Sequence, residues 1–287
     1  MKSSSRAAYY MVASAFGFAA MAMLVKVAAR RGIPTGEVVL VRAVVTLIAS
    51  FVMVRRAGLS LWGTQRGKLV MRGIYGFGGL SFYYLSLAHL PLADATVIQN
   101  ATPLIVSVLA WLVLGESVGW PTAGAIACGI AGVVMIVRPT GESLDMFGVA
   151  TGLGSLMCSS VAYVTVRQLS RTEHPLVIVW YFPLIATPLC IPWAIATWRT
   201  PQPIEWLLLI TIGLCTQIGQ VFLTLALSIE RAGRTMTYGY VQVAFAMVWG
   251  YLVFAQVPTI YTFGGAALII GGTVLLAAVG SAPPTPK

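Results

Sequence analysis

The stretch AGAIACGIAGVVM at residues 123–135 returns 140 positions later as FGGAALIIGGTVL at residues 263–275. Outward from it, residues 83–137 lie on 223–277 without a gap. Leu85, Leu87, Leu112, Val113, Gly124, Ala127, Ile130, Gly132 and Val134 all meet identical residues. A shift of 141 places Ser14, Lys26 and Arg30 on Ser155, Arg167 and Arg171. The chain is therefore one unit written twice, and its hydropathy says what the unit is.

Hydrophobic residues make up 58% of the chain and charged residues 9%, with a mean hydropathy of +0.87. A soluble domain needs about 25% charged residues to face water, so this outer surface faces lipid. Runs long enough to cross a bilayer fall at 7–28, 37–54, 69–89, 92–114, 121–137, 146–168, 175–198, 205–229, 232–255 and 258–279. Helix punctuation such as Gly32-Ile33-Pro34, Gly119-Trp120-Pro121, Arg138-Pro139-Thr140-Gly141 and Thr200-Pro201-Gln202-Pro203 separates them. The expected fold is an all-α membrane protein of ten transmembrane helices. They divide into five-helix repeats at 7–138 and 146–279, with short tails at 1–6 and 280–287. The first run follows Lys2 and Arg6 as a signal peptide does, but it is too long for one and is read as a retained helix.

Five spans is an odd number, so the second repeat must thread the membrane upside down. The loops agree: Leu90-Pro91-Leu92-Ala93 is uncharged, whereas its counterpart Glu230-Arg231-Ala232-Gly233 carries an arginine. With the N-terminus inside, the inner segments hold Lys2, Arg6, Arg55, Arg56, Arg66, Lys68, Arg72, Arg167, Arg171, Arg231, Arg234 and Lys287. The outer ends hold Lys26, Arg30, Arg31, Arg138 and Arg199, and Arg42 lies within a span. Positive charge accumulates on the cytoplasmic side, so both termini are expected there, in a bacterial inner membrane. The same rule explains the net charge of +10. The basic residues form no face or tail, which argues against nucleic-acid binding. Cys128, Cys158, Cys190 and Cys215 sit singly in apolar runs, as packing residues rather than disulfide or metal ligands.

Inverted repeats point to secondary transport, in which two halves rock about a shared midplane site. Polar groups within spans nominate that site, because their exposure to lipid is costly. On the fourth span Thr96, Asn100, Pro103, Ser107 and Trp111 share a face, and Gln99 adjoins it. On the ninth, Tyr240 lies on the matching face. Asn100 and Tyr240 serve either the cavity or helix–helix contact. The third span aligns Arg72, Gly76, Gly79, Tyr83 and Ser86; its glycines suit close approach and Tyr83 suits stacking. The eighth aligns Gln217, Gln220, Thr224 and Ser228. The seventh offers Trp180 and Tyr181, then Pro183, Pro188 and Pro192, which suggest a bent, gating helix. Tyr163 on the sixth completes the candidate lining, while Pro103, Gly76, Gly79 and Pro183 are candidate hinge positions.

Arg42 is the sharpest charge, with Lys26 near the outer end of the first span. They either line the cavity or are spent locally, Lys26 snorkelling to the interface and Arg42 pairing with Glu37 or capping carbonyls. No Asp or Glu is central in any span. A positive lining suits an anionic or zwitterionic small molecule. His89 and His174 are the only histidines and neither belongs to a nucleophile pattern, so catalysis, a metal and a cofactor are not expected. Oligomeric state is not legible.

Leu90-Pro-Leu-Ala-Asp-Ala-Thr-Val-Ile98, Pro103, Leu114-Gly-Glu116, Gly129-Ile-Ala-Gly132 and Val137-Arg-Pro139 resemble the EamA repeat of the drug/metabolite transporter superfamily. Arg42 and Arg72-Gly73 fit the same pattern. The resemblance covers nearly the whole chain. It implies ten helices in two inverted repeats, a central cavity and alternating access. The second copy departs from the pattern, with Gln256 at the Glu116 position and Val243 at the Pro103 position. Members of the superfamily differ in substrate. The basic and aromatic lining favours export of aromatic or other amphipathic amino acids. The alternative is an uptake or exchange carrier for an organic anion or cofactor, such as a citrate-like acid, adenosylmethionine or a flavin.

Overall fold

A computed structural model describes residues 3–102, 104–106, 108–109, 120–137, 145–170, 172–229 and 239–279. Among them it is helical throughout: α1 (Ser3–Arg30), α2 (Thr35–Arg56), α3 (Arg66–His89), α4 (Leu92–Gln99), α5 (Trp120–Val137), α6 (Met146–Leu169), α7 (Pro175–Ala196), α8 (Pro203–Ile229), α9 (Val241–Phe254) and α10 (Ile260–Val279). Five of these, α1, α2, α6, α7 and α8, hold predominantly apolar helical segments of 21 to 25 residues, long and apolar enough to cross a membrane. Their outward faces carry Ile48, Phe51, Leu207, Ile210 and Leu214, all exposed as lipid-facing residues are.

The helices pair across the two halves. α3 packs on α6 and α1 on α8; α2 packs on α7, α4 on α9 and α5 on α10. Exchanging the halves maps this pattern onto itself, as a pseudo-two-fold axis requires. Direction follows from register. Gly148 faces His89 and Leu90, Gly154 faces Phe82, and Gly79 faces Ser159, so α6 runs antiparallel to α3. Tyr10 stacks on Phe222 and Gly17 faces Cys215, so α1 runs antiparallel to α8. The first three helices alternate through short turns, which gives α1 and α3 one direction and α6 the other. The second half begins upside down.

One pair of hydrogen bonds repeats the symmetry at atomic detail. Ser14 Oγ donates to the Gly219 carbonyl at 2.7 Å, and Ser155 Oγ donates to the Gly79 carbonyl at 2.6 Å. Glycine at both acceptor positions lets the helices close: a Cβ at Gly79 would lie 2.6 Å from Ser159 Oγ, and one at Gly219 2.9 Å from the Phe18 ring.

Two expectations need correction. The fourth span is not one helix over 92–114: α4 stops at Gln99, Asn100 and Ala101 form a turn, and helix resumes at Thr102. Proline at 103 has no N–H to offer the Gln99 carbonyl four residues back, and Thr102 Oγ1 donates to that carbonyl instead, at 2.5 Å. Pro103, Ser107 and Trp111 themselves lie outside the described residues. The proline-rich seventh span, expected to be irregular, is a continuous helix through Pro183, Pro188 and Pro192. Gln256, which departs from the acid of the first repeat, serves the fold in another way. Its Oε1 accepts from the Leu92 N–H at 3.2 Å, capping α4 from the opposite half.

Candidate functional site

Where α2, α3, α7 and α8 meet, a narrow cleft is lined by Arg42, Thr46, Ser50, Arg72, Val179, Phe182, Pro183, Gln217 and Gln220. Arg42 is the eighth residue of α2 and Arg72 the seventh of α3, so both charges lie inside their helices rather than in the connecting loops. Arg42 is 1% exposed and Arg72 8%. Arg42 Nε donates to Thr216 Oγ1 at 3.3 Å. Its guanidinium carbon lies 5.1 Å from the centre of the Phe182 ring and 5.9 Å from that of Tyr84. Arg72 approaches the same Phe182 ring at 4.4 Å. One phenyl ring thus holds two cations.

Neither cation is saturated. Arg42 Nη1 and Arg72 Nε and Nη1 are buried without hydrogen-bond partners among the described residues. No described carboxylate forms an ion pair with either. Buried donors of this kind are costly, so the cleft is electrostatically incomplete as it stands. Opposite them, Gln217 exchanges hydrogen bonds with Ser50 at 3.2 and 3.4 Å and reaches the Met53 sulfur at 3.4 Å. Gly76 makes the arrangement sterically possible: a Cβ there would lie 2.7 Å from Arg72 Nη1 and 2.8 Å from the Phe182 ring.

Of the candidate residues, the structure brings Arg42, Gln217, Gln220 and Pro183 together, with Gly76 behind them. Tyr163 borders this group, close enough to interact electrostatically with Arg72, while its ring packs beside Met11 and Leu223. The others lie elsewhere. Gln99 ties α4 to α6, accepting from Ser155 Oγ at 2.7 Å and donating to Ser159 Oγ at 3.1 Å. Asn100 Nδ2 donates back to the Thr96 carbonyl at 2.8 Å, and Tyr83 shares a 3.3 Å hydrogen bond with Thr96 Oγ1. Tyr240 is buried in the main core, and Trp180 packs against Phe51 in a second apolar cluster. Gly79 closes the α3–α6 contact.

The two charges weighed between lining the cavity and local use part company: Arg42 lines the cleft and Lys26 is used locally. Lys26 does not snorkel: it is 5% exposed, and Nζ donates to the Leu87 carbonyl at 3.0 Å and to the Leu90 carbonyl. It caps the end of α3. Arg42 does not pair with Glu37, whose carboxylate accepts from the Arg199 backbone N–H. Arg72 also belongs to the site, although the charge count groups it with the inner basic residues and the candidate lining leaves it out. Its spacing with Gly76 on one helix face is the signal that points to it.

Two inverted half-bundles around a polar cleft are the architecture of a membrane carrier. The chain belongs to the EamA-like transporter family, whose model matches residues 5–138 and again 146–278. It is 33% identical over 266 residues to the pseudopaline exporter CntI of Pseudomonas aeruginosa, covering 92% of this chain and 93% of that one. It is 29% identical to solute carrier family 35 member G1 of Mus musculus, over 92% of this chain and 76% of the other. A riboflavin transporter of Brucella anthropi is 27% identical, over 93% and 96%. A solved crystal structure superposes with a TM-score of 0.64 at 18% identity, covering 93% of this chain and 98% of that one, which shows the shared fold. The protein is a multi-pass membrane transporter for a small molecule, not an enzyme.

Proposed function

We propose that the protein exports amino acids, or small metabolites built from them, across a bacterial inner membrane by alternating access, with both termini in the cytoplasm. The observation that carries this reading is Arg42, buried near the middle of α2 with its Nη1 left without a hydrogen-bond partner, in a cleft that it shares with Arg72, amides, hydroxyls and an aromatic ring. Arginine forks carboxylates bidentately. Gln217, Gln220 and Ser50 offer neutral acceptors for an ammonium group, and Phe182 offers a surface for an apolar side chain. The exporter among the relatives supports the outward direction.

The cleft is too narrow to hold a solute as it stands, so transport requires its walls to move apart. Helix α7 suits that movement, since three interior prolines each remove a backbone hydrogen bond. Sided access then follows from the inverted repeat, one half rocking against the other.

The test is counterflow in proteoliposomes with labelled amino acids, citrate and riboflavin. Uptake of amino acids into preloaded vesicles is the expected result; movement of citrate or riboflavin alone would replace this reading with the uptake or exchange carrier. Arg42→Ala is expected to lower amino-acid counterflow far more than protein abundance. Equal losses of both would make Arg42 a structural residue.

A further inference from the structure

The cleft holds two cations and, among the described residues, no anion. Arg42 and Arg72 come from different helices, both are more than nine-tenths buried, and both keep N–H groups that find no acceptor. Guanidinium groups hold their protons in proteins, so both charges persist. The rest of the lining is neutral: Thr46, Ser50, Phe182, Gln217 and Gln220 are its polarisable members.

A single carboxylate satisfies one of these groups. The other is then left charged, desolvated and without a counter-ion, in surroundings that strengthen every uncompensated charge. Two carboxylates satisfy both. The Phe182 ring touches both guanidinium groups, at 5.1 and 4.4 Å, so the two cations are fixed against one apolar surface rather than converging on open space. That arrangement fits an anion whose two charges are separated by a short carbon stem, with the stem lying on the ring. It fits a compact dianion such as phosphate less well, since the two cations are spread along the ring rather than gathered at one point.

Resting on the amino-acid reading above, we infer that the transported solute carries two carboxylates, one for each arginine. Arg72 is the residue that selects for the second. The substrate class is an amino dicarboxylate or a metabolite that contains one, rather than a neutral aromatic amino acid. Gly76 is part of the same device, because only a residue without a Cβ leaves Arg72 room beside Phe182.

The experiment compares matched probes on the purified full-length protein, by thermal shift and by counterflow. The pairs are glutamate with glutamine, aspartate with asparagine, and succinate with butyrate; inorganic phosphate is a further arm. Diacids are expected to half-saturate at about tenfold lower concentration than their single-carboxylate partners, the scale of one lost charge-assisted contact. In Arg72→Gln the glutamate-to-glutamine ratio is expected to fall to about twofold, with partial restoration in Arg72→Lys. The wild-type ratios stand as a test even where a variant fails to fold. Glutamine and asparagine performing as well as glutamate and aspartate would overturn the two-carboxylate inference and leave the amino-acid carrier intact. Succinate acting while no amino acid does keeps the inference and removes the amino-acid reading. Phosphate matching the diacids overturns the inference, and silence from every probe overturns both.

Discussion

Ser14 and Ser155 make the same hydrogen bond in the two halves of the molecule. Each hydroxyl, on the first helix of its repeat, donates to a glycine carbonyl on the third helix of the other repeat, Gly219 for Ser14 and Gly79 for Ser155. Both serines are fully buried. Each clamp holds one helix of one half to one helix of the other. Ser14→Ala and Ser155→Ala are each expected to lose about 1 kcal/mol, the net value of a buried hydrogen bond. The two clamps share no residue, so the double variant should lose about the sum. Thermal unfolding of the purified protein measures this. A double variant no weaker than either single one would mean that the two clamps do not act independently.

That symmetry is legible in the sequence because it is written in register: 140 or 141 residues separate Ser14 from Ser155 and Gly79 from Gly219. Hydropathy alone places most helix ends within three residues, as at Thr35–Arg56, Met146–Leu169 and Pro203–Ile229, because a bilayer fixes span length. The break after Gln99 is not visible in the same way. Pro103 signals a kink, but which carbonyl loses its partner, and that Thr102 replaces it, depends on a local side-chain choice. The site is half legible. Arg42 stands out as a charge inside an apolar run, whereas Arg72 shares a face with Gly76 but follows Arg66 and Lys68, so its charge reads as part of the inner basic segment. Tyr83, Gln99 and Asn100 match the pattern of a lining but are spent on contacts within and between helices. Periodicity gives a polar residue its face, and only the neighbours on that face decide whether its hydrogen bonds are already used.

Gly76 separates packing from function more cleanly than the arginines do. A Cβ at Gly76 collides with the Phe182 ring and with the far end of the Arg72 side chain, both of which line the cleft and can shift. Gly76→Ala is therefore expected to fold, with a loss of about 1 kcal/mol or less, since helix propensity partly compensates. Its transport should fall severalfold as Arg72 is displaced. Gly79→Val has the opposite profile: the added methyl groups meet Ser159 backbone at the α3–α6 contact, and abundance falls along with transport. Counterflow normalised to protein amount distinguishes them. Normal specific activity in Gly76→Ala would show that the Arg72–Phe182 contact is dispensable.

Lys26 tests the difference between a snorkelling and a capping lysine. An interfacial lysine contributes little, and its loss is nearly neutral. Lys26 instead satisfies the Leu87 and Leu90 carbonyls in a buried position, with the centre of the Phe254 ring 6.0 Å from its ammonium nitrogen. Lys26→Met keeps the apolar stem and removes the donor from both carbonyls, so a loss of about 2 kcal/mol or more is expected. Denaturation of the detergent-solubilised variant reads it directly. An unfolding midpoint equal to wild type would return Lys26 to the interface.

The His89–Asp145 contact gives the fold an acid-sensitive corner. Asp145 precedes α6 and His89 ends α3, and His89 Nδ1 lies 2.5 Å from Asp145 Oδ2. The hydrogen bond from His89, followed by that from the Phe147 backbone N–H, holds the Asp145 carboxyl below its ordinary value of 3.8. A carboxyl lowered on folding stabilises the folded state above its unfolded value, and that contribution is lost as pH falls through the folded value. The wild-type protein should therefore lose stability from this corner only below about pH 4. Asp145→Asn should start less stable at neutral pH and show a shallower decline on acidification, because it has no proton to take up there. His89→Ala removes the larger of the two hydrogen bonds and should move the curve part of the way. Unfolding midpoints measured between about pH 7 and pH 3 provide the comparison. Parallel curves for wild type and Asp145→Asn across that range would show that the contact does not hold α3 to α6.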